Sequence, residues 1–161
     1  MKKICLKKLS SLTGFTLIEL LVVMVIVGIL LGVGIAQYIS FNRRQILEQT
    51  TQGLKNNLRL AQTKAMSGEK PAGCGILDGY RVKFASNDPD NYTLVAVCEG
   101  VEVGETKNFS LPSIVKFSPL PSPILFKVLS QGTDLDSDLI ISLTAFGQTK
   151  TITVSKEGKI E

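Results

Sequence analysis

The chain carries, from residue 14, the stretch Gly14-Phe15-Thr16-Leu17-Ile18-Glu19, which leads into a run from Leu20 to Asn42 without any charged side chain. This run predicts a membrane-spanning helix, because a hydrocarbon core about 30 Å thick needs about 20 helical residues. Glu19 places one carboxylate at its start, and an ionised side chain costs on the order of 3 kcal/mol near the centre of a membrane helix. We therefore expect this charge to have a function.

A lysine-rich leader precedes the stretch, with Lys2, Lys3, Lys7 and Lys8. Basic residues favour cytoplasmic retention of their segment, so the rest of the chain is expected to face outward. Gly14 has no side chain, which lets a protease approach the backbone closely. Two simpler interpretations stay open. One is an ordinary signal anchor with a stray glutamate, and the other is a secretory signal peptide, whose apolar core is usually shorter.

The segment from Gly14 to Ile26 resembles the processing and assembly signal of type IV prepilins and type II secretion pseudopilins. In that family a membrane peptidase cuts after the glycine and methylates the new amino terminus. The resemblance therefore implies cleavage between Gly14 and Phe15, N-methylation of Phe15, and Glu19 at the family's glutamate position, the fifth of the mature chain. It also implies the pilin fold, a long helix packed on a small antiparallel β-sheet domain.

Glu19 is the residue expected to set the register of assembly. Cleavage creates a positive α-amino group on Phe15, about 6 Å from Glu19 along a helix that rises 1.5 Å per residue. In a filament, the carboxylate of one subunit is expected to meet the amine of its neighbour. Pairing in low dielectric offsets the burial of both charges.

The resemblance implies partners and a location as well. The expected partners are other pilin or pseudopilin subunits, the prepilin peptidase and methyltransferase, an inner-membrane assembly platform and membrane lipid. The chain is expected to cross the cytoplasmic membrane once, with its carboxy-terminal domain outside, and then to join an extracytoplasmic filament.

Charge and composition exclude several function classes. The 161 residues include 18 basic and 14 acidic side chains, and loss of the four leader lysines leaves 14 of each sign. A neutral mature chain gives no charge-based reason for a nucleic-acid partner. The sequence has no histidine, the physiological-pH switch and commonest metal ligand, and its carboxylates show no paired spacing for acid–base chemistry. We expect that the protein is not an enzyme and that it has no catalytic residue, cofactor or metal site.

One acidic segment, residues 134–138, places aspartates at alternate positions, which suits a hard cation such as calcium. The glycine and the glutamate of a calcium loop are replaced by Leu139 and Ala145. A solvated acidic turn is the favoured interpretation.

The helix is expected to continue past the membrane, from Phe15 to Met66. Between Gln37 and Met66 there is no proline and only one glycine, and the apolar positions keep to one helical face. These positions are Leu47, Leu54, Leu58, Ala61 and Ala65. The expected organisation is a cleaved leader (1–14), a transmembrane and filament-core helix (15–36), an amphipathic helix (37–66) and a β-rich domain (67–161).

Beyond residue 71 the periodicity changes to that of strands and turns. Alternation predicts a hairpin from strands 79–84 and 92–97, with a turn at 87–91, and a second hairpin from 139–143 and 150–154 around Phe146-Gly147-Gln148. Two further short strands are predicted at 115–117 and 124–128. A helix followed by antiparallel strands is an α+β architecture.

The carboxy-terminal pattern, from Gly147-Gln148 through Ile152-Thr153-Val154-Ser155 to Gly158-Lys159-Ile160, is similar to the GspH/FimT group of minor pilins and pseudopilins. Some FimT proteins act as DNA receptors through a Gly-Arg-x-Arg motif. Here the corresponding residues are Gly158-Lys159-Ile160-Glu161, and an acidic residue repels phosphate. The first interpretation is a minor pilin or pseudopilin. The alternatives are a DNA-uptake receptor and a singly anchored surface domain that never polymerises.

Cysteine placement allows one bridge. Cys5 lies in the leader, which leaves Cys74 and Cys98. Export to an oxidising compartment permits a disulfide between them, and two free thiols are the alternative.

Overall fold

The computed structural model describes residues 14–85 and 90–161 of the chain. The expected leader up to residue 13, and most of the first predicted turn, lie outside the described residues. The chain divides into two units between Ser40 and Phe41.

One long helix, α1, runs from Leu17 to Ser67 and contains 51 residues. The helix predicted from sequence agrees with it to within two residues at each end. Its first turn is capped, because the backbone N–H of Glu19 donates to Oγ1 of Thr16 over 3.3 Å. Its last turn closes with an N–H···O bond from Glu69 to Lys64, the six-to-one bond typical of a helix that ends at a glycine.

In the described residues of the second unit, the strands form two antiparallel sheets. The first sheet has the order β3-β2-β1-β5 and the second the order β4-β6-β7. The strands are β1 (Leu77–Phe84), β2 (Asn91–Cys98), β3 (Val101–Ser110), β4 (Lys116–Phe117), β5 (Ile124–Lys127), β6 (Leu139–Ala145) and β7 (Gln148–Val154). A 3-10 turn, Val128–Ser130, follows β5. The α+β fold class is confirmed.

The core of this unit lies between the amphipathic part of α1 and the inward faces of both sheets. All five apolar helix positions predicted from sequence are at most 1% exposed. They join one cluster with inward residues of both sheets, such as Phe126, Ile141 and Ile152. Burial of each of the three leucines contributes about 1.5–3 kcal/mol, and the two alanines allow close approach, so this stripe holds the second part of α1 against the sheets.

Strand β3 was not predicted from the sequence. Its ten residues are polar or exposed along most of their length, and only Val103 and Phe109 are half-buried. The strand pairs with β2 through a ladder that is irregular between Leu94 and Ala96. A strand at the edge of a sheet, with little burial on either face, gives no period-two signal.

The second predicted hairpin is confirmed as β6–β7. Ala145 pairs with Gln148, so the turn has two residues, Phe146 and Gly147, with φ of 52° and 73°. Positive φ at both positions is the turn that matches the twist of the flanking strands. Glycine adopts this conformation without strain, whereas a residue with a Cβ atom loses roughly 1–2 kcal/mol there.

The acidic segment 134–138 has a backbone role in the fold. Oδ1 of Asp134 accepts a hydrogen bond from the N–H of Leu125 over 2.8 Å, and Oδ1 of Asp138 accepts one from the N–H of Lys156 over 3.3 Å. Within the described ranges, no group of three or more histidine, cysteine, aspartate or glutamate side chains is placed to hold a metal ion.

Candidate functional site

The expected scissile bond lies just before α1. Gly14, Phe15 and Thr16 form no regular secondary structure, and all three are exposed. The side chain of Phe15 is 78% exposed. A Cβ atom added at Gly14 would meet nothing within 4 Å, so the folded chain itself leaves this glycine unconstrained.

Glu19 lies in the first turn of α1 and is exposed. Thr16 and Glu19 have the spacing of a capping box, in which a threonine at the cap and a glutamate three residues later satisfy the first backbone donors. The spacing of Thr16 and Glu19 is a sequence signal for the start of a helix, and the sequence analysis missed it. A carboxylate is also favoured at the positive end of the helix dipole. No salt bridge to Glu19 forms within the described part of the chain, so its charge is available to a group outside it.

The part of α1 that follows is apolar and uncovered. Its best 18-residue window has a mean hydropathy of 2.9, and none of that window is buried. The described large apolar side chains from Leu17 to Phe41 are all exposed, from 82% at Leu17 down to 43% at Val27. By length and composition, this is the one helix among the described residues able to cross a membrane. A continuous apolar surface of this kind marks contact with lipid or with other protein.

Comparison with known proteins gives one match at this place. Residues 13–35 match the family model of the prokaryotic N-terminal methylation motif. The match includes the expected scissile bond, Glu19 and most of the apolar helix, and it supports a type IV pilin-like protein anchored by a single helix. Such a motif implies contact with a prepilin peptidase and with pilin subunits, and its family is structural rather than enzymatic. No curated protein and no solved structure matches the chain significantly.

The two cysteines expected to pair lie together in the structure. Cys74 is in the connection between α1 and β1, and Cys98 is the last residue of β2. Their sulfur atoms are joined at 2.05 Å, which closes a loop with a sequence separation of 24. Formation of this bond in the exported protein stays a prediction.

The carboxy-terminal turn is held by the fold. The side-chain amide of Gln62 on α1 donates to the carbonyl of Gly158 over 2.9 Å, and the N–H of Thr133 donates to the carbonyl of Lys156 over 2.9 Å. Lys159 forms an ion pair with Glu161, which lowers the pKa of the Glu161 carboxyl. The charges that the sequence placed near the end of the chain are therefore partly paired with each other.

The β6–β7 hairpin contacts α1 where the charged part of the helix begins. Nζ of Lys150 lies 3.0 Å from Oε2 of Glu48, and its hydrogen bond lowers the pKa of the Glu48 carboxyl. One turn earlier on the helix, the guanidinium carbon of Arg43 lies 5.1 Å from the centre of the Phe146 ring. Sequence analysis missed both contacts, since the partners are far apart in the chain.

Proposed function

We propose that this chain is a minor pilin or pseudopilin, a structural subunit of a type II secretion pseudopilus or a type IV pilus. The observation that carries the proposal is the methylation motif at residues 13–35, at the start of α1, where the described large apolar side chains up to Phe41 are exposed. Neither an ordinary signal anchor nor a secretory signal peptide requires a glycine at position 14 or a carboxylate at the start of its apolar helix.

The proposed sequence of events follows from the chemistry of this segment. A membrane peptidase trims the precursor after Gly14, and Phe15 receives a methyl group on its new amine. The subunit is then withdrawn from the membrane into a filament, where its apolar helix exchanges lipid for neighbouring helices. The carboxylate of Glu19 pairs with the methylated amine of an adjacent subunit, since neither charge is stable alone in low dielectric.

The finer assignment to the GspH/FimT group is supported by the carboxy-terminal pattern. Its Gly147 lies in the β6–β7 turn, and its Gln148 begins β7. Its Gly158 accepts a hydrogen bond from the side-chain amide of Gln62 on α1. The DNA-receptor alternative gains nothing from this region, because Lys159 is paired with Glu161.

Substitution of Glu19 tests the proposal. The full chain is expressed with its assembly genes as Glu19→Ala, and Glu105→Ala, which removes an exposed carboxylate from β3, serves as the matched control. Loss of one partner of a buried ion pair costs about 3–5 kcal/mol, so Glu19→Ala is expected to disappear from the sheared filament fraction and remain in the membrane. Assembly of Glu19→Ala at the level of the control would contradict the proposal and favour the singly anchored domain.

A further inference from the structure

The first charged residues of α1 after the uncharged run lie one bilayer thickness along the helix. Arg43 and Arg44 are the first charged residues after the uncharged run that ends at Asn42, and both are exposed. The run from Leu20 to Asn42 is about 34 Å long as a helix, slightly more than a hydrocarbon core of about 30 Å. When this helix spans a membrane, the two arginines therefore lie at the level of the lipid headgroups, where long basic side chains are stable.

The β6–β7 hairpin contacts the same part of α1. Phe146 contacts Arg43, with the guanidinium carbon 5.1 Å from the ring centre. The ion pair between Lys150 and Glu48 fixes the same hairpin to the next turn of α1. Arg43 directly follows the uncharged run, and Phe146 contacts Arg43. The turn of β6–β7 is therefore close to the point at which the chain leaves the bilayer whenever the first part of α1 spans it.

The residue at the tip of this turn is unusual on folding grounds. Two-residue turns with positive φ favour asparagine, aspartate or glycine at the first position, and here Phe146 occupies it at a φ of 52°. Phe146 is 40% exposed. A strained backbone that presents a large apolar ring to solvent is a feature that points to a role outside the fold.

We propose that the Phe146-Gly147 turn, together with Arg43 and Arg44, is a membrane-surface contact whose partner is the headgroup layer of a phospholipid bilayer. The Phe146 ring enters the boundary between headgroups and acyl chains, where aromatic and apolar side chains of surface-bound segments lie. The two arginines bind the lipid phosphates, as basic residues next to a membrane helix do. The contact rests on membrane anchoring alone and is independent of filament assembly.

The absence of tryptophan from the sequence makes the contact measurable. Phe146→Trp gives the full chain a single tryptophan, which is excited at a wavelength that tyrosine does not absorb. The chain is reconstituted in two kinds of vesicle, one of phosphatidylcholine alone and one that also contains phosphatidylglycerol, both with bromine near the headgroup end of the acyl chains. We expect bromine to quench its emission by roughly half or more, as for an aromatic ring at a membrane interface. Ile76→Trp is the matched control, since Ile76 is 65% exposed and lies beyond the other end of α1.

Several outcomes decide the proposal. Stronger quenching of the residue-146 reporter than of the residue-76 reporter supports it, and equal quenching of the two overturns it. Gln148→Trp, at the exposed start of β7, gives the same test with the turn left intact should Phe146→Trp fail to fold. Replacement of both arginines by glutamine is expected to reduce the quenching. If the reduction is confined to vesicles with phosphatidylglycerol, the arginines bind the phosphates of anionic lipid. If it occurs in both kinds of vesicle, they bind the phosphates of any phospholipid. Unchanged quenching would contradict the proposed role of the arginines. Since no filament is needed, these results are separate from those of Glu19→Ala.

Discussion

At the scale of single residues, Gly14 and Glu19 lie within one short stretch and differ in what they contribute to the fold. Gly14 has open space around it and precedes the helix, so the fold places no requirement on its side chain. Glu19 contributes to the fold only through the first turn of α1, where Thr16 accepts the hydrogen bond from its N–H. The fold therefore requires neither side chain, and the proposed processing and assembly would account for both identities.

Substitution of Gly14 separates processing from folding. Gly14→Val is expected to leave the folded domain unchanged, because the added atoms meet nothing within 4 Å at the Cβ position. The same side chain is expected to block close approach of the peptidase to the backbone. Immunoblotting of membranes should show the uncut precursor, while the unfolding midpoint stays that of the parent. Normal trimming of the variant would contradict this account of Gly14.

A surface ion-pair cluster gives a prediction for pH. Glu102 on β3 lies 2.6 Å from Nζ of Lys83 and 3.4 Å from a guanidinium nitrogen of Arg81. The hydrogen bond from Lys83 is the main cause that lowers the pKa of the Glu102 carboxyl below its ordinary value of 4.5. The cluster therefore stabilises the fold above that value, and the contribution is lost as the pH falls through the lower folded pKa.

Glu102→Gln should reduce the free energy of unfolding slightly at neutral pH, since exposed pairs contribute little. The difference from the parent should disappear as the pH falls below 4.5. Denaturant titrations of both chains at a series of pH values measure this. A difference that is constant with pH would show that the carboxylate charge plays no part.

At the scale of elements, α1 is one helix with two different surface patterns. Its first part is apolar on every described face, as contact with lipid or other helices requires. Its second part is apolar on one stripe only, and that stripe fills the core between the sheets. The change from one pattern to the other takes place close to Arg43 and Arg44, where the second unit begins.

Gly53 is a weak point within the second part of α1. Glycine in a helix interior is about 1 kcal/mol less favourable than alanine, and a Cβ atom at this position meets nothing within 4 Å. Gly53→Ala should raise the free energy of unfolding by about that amount, measured by circular dichroism during guanidinium unfolding of the full chain in detergent.

Gly79→Ala on β1 is the matched comparison for this substitution. Its Cβ atom would lie 2.0 Å from the backbone oxygen of Phe126, so this second variant should be clearly destabilised. Equal effects of the two substitutions would contradict the packing described around both glycines.

Sequence patterns found α1, its buried stripe and both hairpins, because each has a strong period or a strong turn signal. They did not find β3, whose polar side chains stand on an exposed edge and whose Gly104 interrupts the alternation. The processing segment could be identified because it is a contiguous motif. The contact between Arg43 and Phe146 could not, since it depends on how the second hairpin packs against the helix.

At the scale of the whole molecule, the second unit, residues 41–161, is a small domain. Its core is a single cluster between α1 and two sheets, and a domain of this size buries about two thirds of the surface that its unfolded chain exposes. The Cys74–Cys98 bond ties the connection after α1 to the end of β2. A covalent link between these segments limits the freedom of the unfolded chain.

The exported chain is predicted to contain this disulfide. Its mass under non-reducing conditions should be lower by two hydrogens than after reduction. In the chain-entropy account a loop of this length contributes roughly 3–4 kcal/mol, so Cys74→Ser with Cys98→Ser should lower the free energy of unfolding by about that much. Two free thiols in the exported protein would contradict the prediction.

The amino terminus of the protein in its membrane or filament is the most direct test of the proposed cleavage after Gly14 and methylation of Phe15. Mass spectrometry of the amino-terminal fragment should find a chain that begins at Phe15, heavier by one methyl group on its amine, with residues 1–14 removed. A chain that keeps its lysine-rich leader, or that begins at any other residue, would contradict the account.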